Sequence, residues 1–155
     1  DIPVNIAHAR TQGVEATLTL HPGYGLDVVA SYTYLESVSQ SSVLATSDNH
    51  DLPRRPANTW NLAVNYAPWS RVNLNTNLLY VGKRTMDTAF DAGPTNPKYV
   101  KWDAAVSVTL LERAGVLRKL AAHGKVENIL GDQYDEAVGF PAQGRSYLIG
   151  LSGEF

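Results

Sequence analysis

Along this chain apolar and polar residues alternate one by one in segment after segment, most of them about ten residues long. Residues 14 to 20 set Val14, Ala16, Leu18 and Leu20 against Glu15, Thr17 and Thr19, and residues 26 to 34 set Leu26, Val28, Ala30, Tyr32 and Tyr34 against Asp27, Val29, Ser31 and Thr33. "TWNLAVNY" aligns Trp60, Leu62, Val64 and Tyr66. "VNLNTNLLYVG" aligns Val72, Leu74, Leu78 and Tyr80 against Asn73, Asn75 and Asn77. "YVKWDAAVSVTL" gives Val100, Trp102, Ala104, Val106, Val108 and Leu110 against Lys101, Asp103, Ser107 and Thr109. A weaker segment, "LAAHGKVEN", precedes "GRSYLIGLSGEF", where Tyr147, Ile149, Leu151, Gly153 and Phe155 share a face. A period of two demands strands with two unlike faces, so the fold class is all-β.

The connections sort the strands. "HPGYG" and "APWSR" read as tight turns and "LERAGVLRK" (111 to 119) as a modestly longer one. Between them lie residues 36 to 58, 84 to 98 and 130 to 144, which are long and rich in Gly, Pro, Asp and Ser. Short and long connections alternate, which describes an antiparallel up-and-down meander of about seven strands with every long loop at one end.

A barrel in lipid and a sandwich in water share this parity, and the aromatics separate them. Tyr32, Tyr34, Trp60, Tyr80, Trp102 and Tyr147 fall toward the long-loop end of the apolar face, Tyr66 and Phe155 toward the tight-turn end, and the residues between are aliphatic. Two aromatic levels flanking an aliphatic band match the girdles of a transmembrane barrel. The opposite face is polar but mostly uncharged, with Asn61, Asn65, Asn73, Asn75 and Asn77, which suits a water-filled or plugged lumen. A soluble β-sandwich stays as the alternative class. Seven strands leave two edges whose backbone groups lipid cannot satisfy, and "DIPVNIAHAR" has neither an initiator Met nor a signal peptide. Residues 1–155 are therefore expected to be one C-terminal segment of a larger transmembrane β-barrel, without plug or signal peptide, its edge strands pairing with absent N-terminal barrel strands.

Composition closes other routes. With 13 basic and 15 acidic residues there is no electrostatic case for nucleic acid, and the absence of cysteine removes disulfides and thiolate chemistry. His8, His21, His50 and His123 are too dispersed for a metal site; Asp48, Asp51, Asp87 and Asp91 form no twelve-residue calcium loop. "GDQYDE" has no base or nucleophile beside it, so no catalytic residue, metal or cofactor is expected and the reading is not an enzyme.

Three passages carry a family likeness: "TQGVEATLTL", "LPRRPANTWNLAVNY" and "KVENILGDQYDEAVGFPAQGRSYLIGLSGEF". They resemble TonB-dependent outer-membrane receptors, the cobalamin group first and siderophore receptors nearby. The resemblance implies the last third of a twenty-two-stranded barrel, a plug that contacts TonB, and active import of a scarce large ligand, cobalamin-like or an iron-siderophore. It also implies an outer-membrane location with long loops extracellular and the C-terminus periplasmic. The terminal pattern Tyr147, Ile149, Leu151, Gly153 and Phe155 becomes the signal read by the barrel-assembly machinery, and the bilayer and lipopolysaccharide become partners. A passive porin or adhesin-type barrel is the nearest alternative. Arg54 and Arg55 suit a ligand's anionic groups or lipopolysaccharide phosphates, and Tyr134, Asp135 and Phe140 are possible ligand contacts in the last loop. The family has a tight turn where this chain has 111 to 119, which leaves the strand register there open.

Overall fold

A computed structural model describes residues 8–40, 50–85 and 95–155. In chain order the strands are β1 (His8–Gly23), β2 (Leu26–Gln40), β3 (His50–Asp51), β4 (Asn58–Trp69), β5 (Val72–Val81), β6 (Arg84–Thr85), β7 (Thr95–Asn96), β8 (Tyr99–Ala114), β9 (Leu117–Glu127), β10 (Asp135–Ala137), β11 (Phe140–Pro141) and β12 (Ser146–Glu154). The seven long ones, β1, β2, β4, β5, β8, β9 and β12, form one sheet in that order, each antiparallel to the next. The short strands decorate the loop end: β3 pairs antiparallel with the end of β2, while β6–β7 and β10–β11 form small two-stranded sheets. The all-β meander expected from alternation is the architecture found. No helix among the described residues is long and apolar enough to cross a membrane, which says nothing of crossing with strands.

Register keeps the two faces distinct across every strand pair. Ala16, Tyr32, Trp60, Tyr80 and Val100 lie opposite one another in a row on the apolar face, and Leu18, Ala30, Leu62, Leu78 and Trp102 form the next. On the other face Asn61 stands between Ser31 and Leu79, and Asn65 between Asp27 and Asn75. A slip of one residue would interchange the faces, so the pattern specifies the pairing strongly. Among the described residues nothing covers the apolar face: Ile149 is 90% exposed, and Leu18, Trp102 and Leu151 are also exposed. A sandwich would bury this face under a second sheet, and none packs there among the described residues. A continuous apolar patch of this size implies an apolar surrounding.

The connection at 111 to 119 is shorter than its sequence suggests, which corrects the longer turn expected there. β8 runs on to Ala114 and β9 starts at Leu117, leaving Gly115 and Val116 as a two-residue turn. A bulge hides this from the alternation: Thr109 opposes Ala121 but Leu111 opposes Leu120, so Leu110 is the extra residue and the parity shifts after it. The turn after β4 behaves likewise, with Ser70 and Arg71 at its tip and a register shift between Tyr66 and Trp69.

The first hairpin turns on Tyr24 and Gly25, at φ 54° and 74°. Positive φ at both central residues gives the twist that two-residue hairpins prefer. Gly25 also accepts a bond from the Ala67 backbone N–H at 2.7 Å, and a Cβ on it would stand 2.2 Å from the Ala67 carbonyl oxygen. Gly25→Ala is expected to cost about 2 kcal/mol or more, since it adds a backbone clash to the left-handed penalty. Urea unfolding of the full receptor in detergent checks this, and an unchanged midpoint would refute it.

Candidate functional site

At the loop end, chain segments far apart in sequence converge on the polar face. β8 opens with Tyr99 opposite Val81 of β5, a position facing the polar side. The Tyr134 ring stacks on Tyr99 at 3.8 Å between centroids and 8° between planes, and the Arg84 guanidinium lies 5.3 Å over the other ring of the pair, that of Tyr99. Val81, Tyr99 and Tyr134 make the one cluster of buried apolar residues among those described, with Leu79 and Ala142 against it. Arg84 donates from its guanidinium to the Asp135 carbonyl at 3.0 Å, and Asn96 donates from Nδ2 to the same oxygen at 2.9 Å. The β6–β7 pair is thereby tied to the start of β10.

A second knot closes the exit of β9. Asn128 is fully buried, with φ 51°, a conformation Asn tolerates better than most residues. Its backbone N–H donates to Asp103 Oδ1 at 2.8 Å, its Nδ2 donates to the Asp132 carbonyl at 2.9 Å, and its Oδ1 accepts from the Asp132 N–H at 3.2 Å. Asp132 Oδ2 in turn accepts from the Val100 N–H at 3.1 Å. Every group of the Asn128 amide is used within the fold.

The residues singled out from sequence divide accordingly. Tyr134 is only 9% exposed, its ring committed to Tyr99, and Asp135 offers its carbonyl to Arg84 and Asn96 and its carboxylate to the Gly139 N–H at 3.0 Å. Phe140, 74% exposed, and the exposed Arg54 and Arg55 face outward. Arg54 has φ 60°, and its N–H donates to the Thr85 carbonyl at 2.8 Å, so both arginines stand next to the β6–β7 pair. Arg84, Asn96, Tyr99 and Asn128 escaped the sequence reading. The one local signal was an Asn placed where a strand gives way to "LGD". Asp48, Asp87 and Asp91 lie outside the described residues, and among those described no three His, Asp or Glu side chains are arranged to hold a metal ion.

Burial pushes the Tyr134 phenol above the ordinary tyrosine range. A group that holds its proton more tightly when folded contributes stability that is complete below its unfolded pKa of about 10 and lost as pH rises through the higher folded value. The stack is therefore expected to open in alkali, with Tyr134→Phe removing that step. A tyrosinate absorbance titration of wild type and variant, read beside proteolysis of the last loop, checks it; identical alkaline loop opening in both would refute it.

On the apolar face, Trp60 and Tyr80 stack at 5.6 Å, and Tyr32 donates from its hydroxyl to Asn58 Oδ1 at 2.7 Å. Trp102 stands one outward position nearer the tight turns than Tyr80, and Tyr147, opposite Val126 and thus in the row of Ala104, one further. At the other end Phe155 likewise lies further along than Tyr66, whose row passes through Leu74, Val106, Gly124 and Ile149. Both aromatic levels climb the register in the same sense. Strands tilted to a barrel axis produce this stagger. Trp102 donates from Nε1 to Thr76 Oγ1 at 2.6 Å, and that hydroxyl donates to the Asp103 carbonyl at 2.9 Å, so a polar group on the apolar face is satisfied without water. On the polar face a recess of about 360 Å³ is lined by Asp27, Ala63, Asn65, Asn75, Asn77 and Ala105.

Two faces of opposite character, long loops at one end and staggered aromatics define a segment of a large β-barrel wall. The family model described as "TonB dependent receptor-like, beta-barrel" matches residues 1–128, and the chain belongs to that family. It is 29% identical over 153 residues to the iron-regulated outer membrane virulence protein of Vibrio cholerae, a match that covers 96% of this chain and 22% of that protein. Its fold is similar to the closed form of the ferric-catecholate import receptor Fiu from E. coli K12, with TM-score 0.73, 18% identity, and coverage of 92% of this chain and 20% of that one. A glycine-to-valine mutant of the ferric enterobactin receptor PfeA of Pseudomonas aeruginosa gives TM-score 0.66 and 17% identity over 97% of this chain and 23% of its own. The chain thus spans about a fifth of the length of these relatives. The family and the outer-membrane relative give its location, the outer membrane. The cobalamin likeness read from the sequence does not appear among these relatives, whose names refer to iron.

Proposed function

We propose that this chain forms part of the barrel wall of an outer-membrane, TonB-dependent active transporter that imports an iron-siderophore chelate. The observation that carries this reading is the family match over residues 1–128, supported by fold similarity to ferric import receptors. A cobalamin-like ligand is the second reading, favoured by the likeness of the "KVENILGDQYDEAVGFPAQGRSYLIGLSGEF" passage. The parent protein supplies the other barrel strands and the plug, through which TonB acts. The plug abuts the asparagine-lined face and its recess. In this reading the long connections lie outside the cell and the tight turns and Phe155 on the periplasmic side, an orientation that the difference in loop length supports.

In this reading Tyr32, Tyr34, Trp60, Tyr80 and Trp102 form the outer aromatic girdle and Tyr66 belongs to the inner one. Arg54, Arg55 and Phe140 are the loop residues free to meet ligand or lipopolysaccharide, while Tyr134 and Asp135 shape the loop from beneath. Uptake of labelled ferric siderophore and labelled cobalamin by cells carrying the full gene, with and without TonB, tests the assignment. TonB-dependent uptake of the iron chelate is expected; uptake that persists without TonB would point to a passive porin, and uptake of neither ligand would sink the reading.

Phe155, with Tyr147, Ile149, Leu151 and Gly153, is assigned to recognition by the barrel-assembly machinery. Phe155→Ala is expected to lower the outer-membrane yield of the full receptor several-fold. Blotting of outer-membrane fractions checks this, and wild-type yield would remove the role.

A further inference from the structure

The charges on the apolar face differ between its two ends. Beyond Val14 and Tyr34, at the loop end, the outward positions turn polar as Gln12, Arg10 and Glu36, and these satisfy one another: Arg10 donates to Gln12 and Gln12 donates to Glu36. Beyond Leu111 and Leu120, at the tight-turn end, the next outward positions are Arg113 and Arg118, which the register places opposite each other. Both are exposed, and among the described residues neither has a carboxylate within ion-pair distance.

The acids of that end face the other way. Asp27 meets His21 at 2.6 Å, Glu112 lies 4.0 Å from Arg71 and opposite Lys119, and Glu154 also lies opposite Lys119. The bulge at Leu110 produces this separation: without the extra residue, alternation would turn Glu112 outward and Arg113 inward. Phe155, one outward position past Gly153 and 80% exposed, completes the row beside Arg118. Two guanidinium groups and an aromatic ring thus border the apolar band, with no carboxylate within ion-pair distance of the guanidinium groups among the described residues.

We propose that Arg113 and Arg118 bind the phosphate of an anionic phospholipid, of the phosphatidylglycerol class, at the tight-turn edge of the membrane. Guanidinium forks match phosphate oxygens with paired bonds, and the apolar residues next to them, Leu110, Leu111 and Leu120, take the first part of the acyl chains. The inference rests on the membrane reading above.

The full receptor, purified in detergent and exchanged into nanodiscs of phosphatidylcholine with or without phosphatidylglycerol, tests it, with retained lipid read by native mass spectrometry. Phosphatidylglycerol is expected to be retained over phosphatidylcholine. Arg118→Gln should weaken retention about fivefold and the Arg113→Gln/Arg118→Gln pair about twentyfold. The inward Lys119→Gln should leave it unchanged, and the Arg113→Lys/Arg118→Lys pair should keep most of it. Equal retention by wild type and the double glutamine variant would overturn the proposal, as would displacement of the lipid by millimolar inorganic phosphate. Should the glutamine pair fail to fold, seen as loss of the heat-dependent gel shift, the wild-type preference decides alone, and its absence overturns the site. A receptor soluble without detergent would instead overturn the membrane reading, a distinct result.

Discussion

Leu62→Arg is expected to destabilise the full receptor by about 2–4 kcal/mol, whereas Leu26→Arg on the same face costs about 0–1 kcal/mol. Leu62 lies between Trp60 and Tyr66 on β4, in the row of Leu18, Ala30, Leu78 and Trp102. Leu26 opposes Tyr66 and so shares the level of the aromatics near the tight turns. A guanidinium at Leu26 reaches headgroups by extending its side chain, and one at Leu62 must carry its charge through hydrocarbon. Depth is the diagnostic quantity. Were this face solvated, both substitutions would fall within about 0.5 kcal/mol of wild type. Reversible unfolding of the receptor in phospholipid vesicles measures the difference, and equal costs would refute a lipid-facing position for Leu62.

Asn128→Ala is expected to release the last long loop, at a local cost of about 2–4 kcal/mol. The substitution removes the amide that holds both backbone groups of Asp132 and leaves them without those partners. It also forces alanine to φ 51°. Asn128→Gly separates the two contributions, because it keeps the backbone freedom while losing the amide. Hydrogen exchange on residues 130 to 144 should accelerate strongly in the alanine variant and to a lesser degree in the glycine variant. Wild-type protection in the alanine variant would show that the knot does not hold the loop.

Most of the sheet was legible because strand faces are written locally: Trp60, Leu62, Val64 and Tyr66 need only their own spacing to share a side. What escaped is what depends on a partner strand. Leu110 looks like any other member of the β8 alternation, and only Ala121 and Leu120 across the ladder reveal it as an inserted residue. The stagger of Trp102 and Tyr147 is equally invisible in one dimension, since it is a property of pairing. At the candidate site the limit is sharper. Tyr134 sits in a polar loop that reads as exposed, but its partner is Tyr99, far earlier in the chain, and burial follows from the stack. Arg84, whose sequence context suggests a solvated loop, is buried over the Tyr99 ring. Arg54 is tied to Thr85 through its backbone alone, and it, Arg55 and Phe140 lie exposed where a loop reading puts them.

The free edges of the sheet are β1 and β12, the first and last of seven strands that reverse direction at each step. Six reversals, an even number, leave these two edges running the same way, from loop end to turn end. Neither can zip to the other as a neighbour in an antiparallel ladder. The same geometry governs a second copy in the same membrane. Copies inserted the same way up present matching edges that are always co-directional, so head-to-tail growth of this segment into rings or filaments has no antiparallel solution. Only strands of opposite sense complete it, which makes the edges selective for the other strands of the proposed barrel over their own kind.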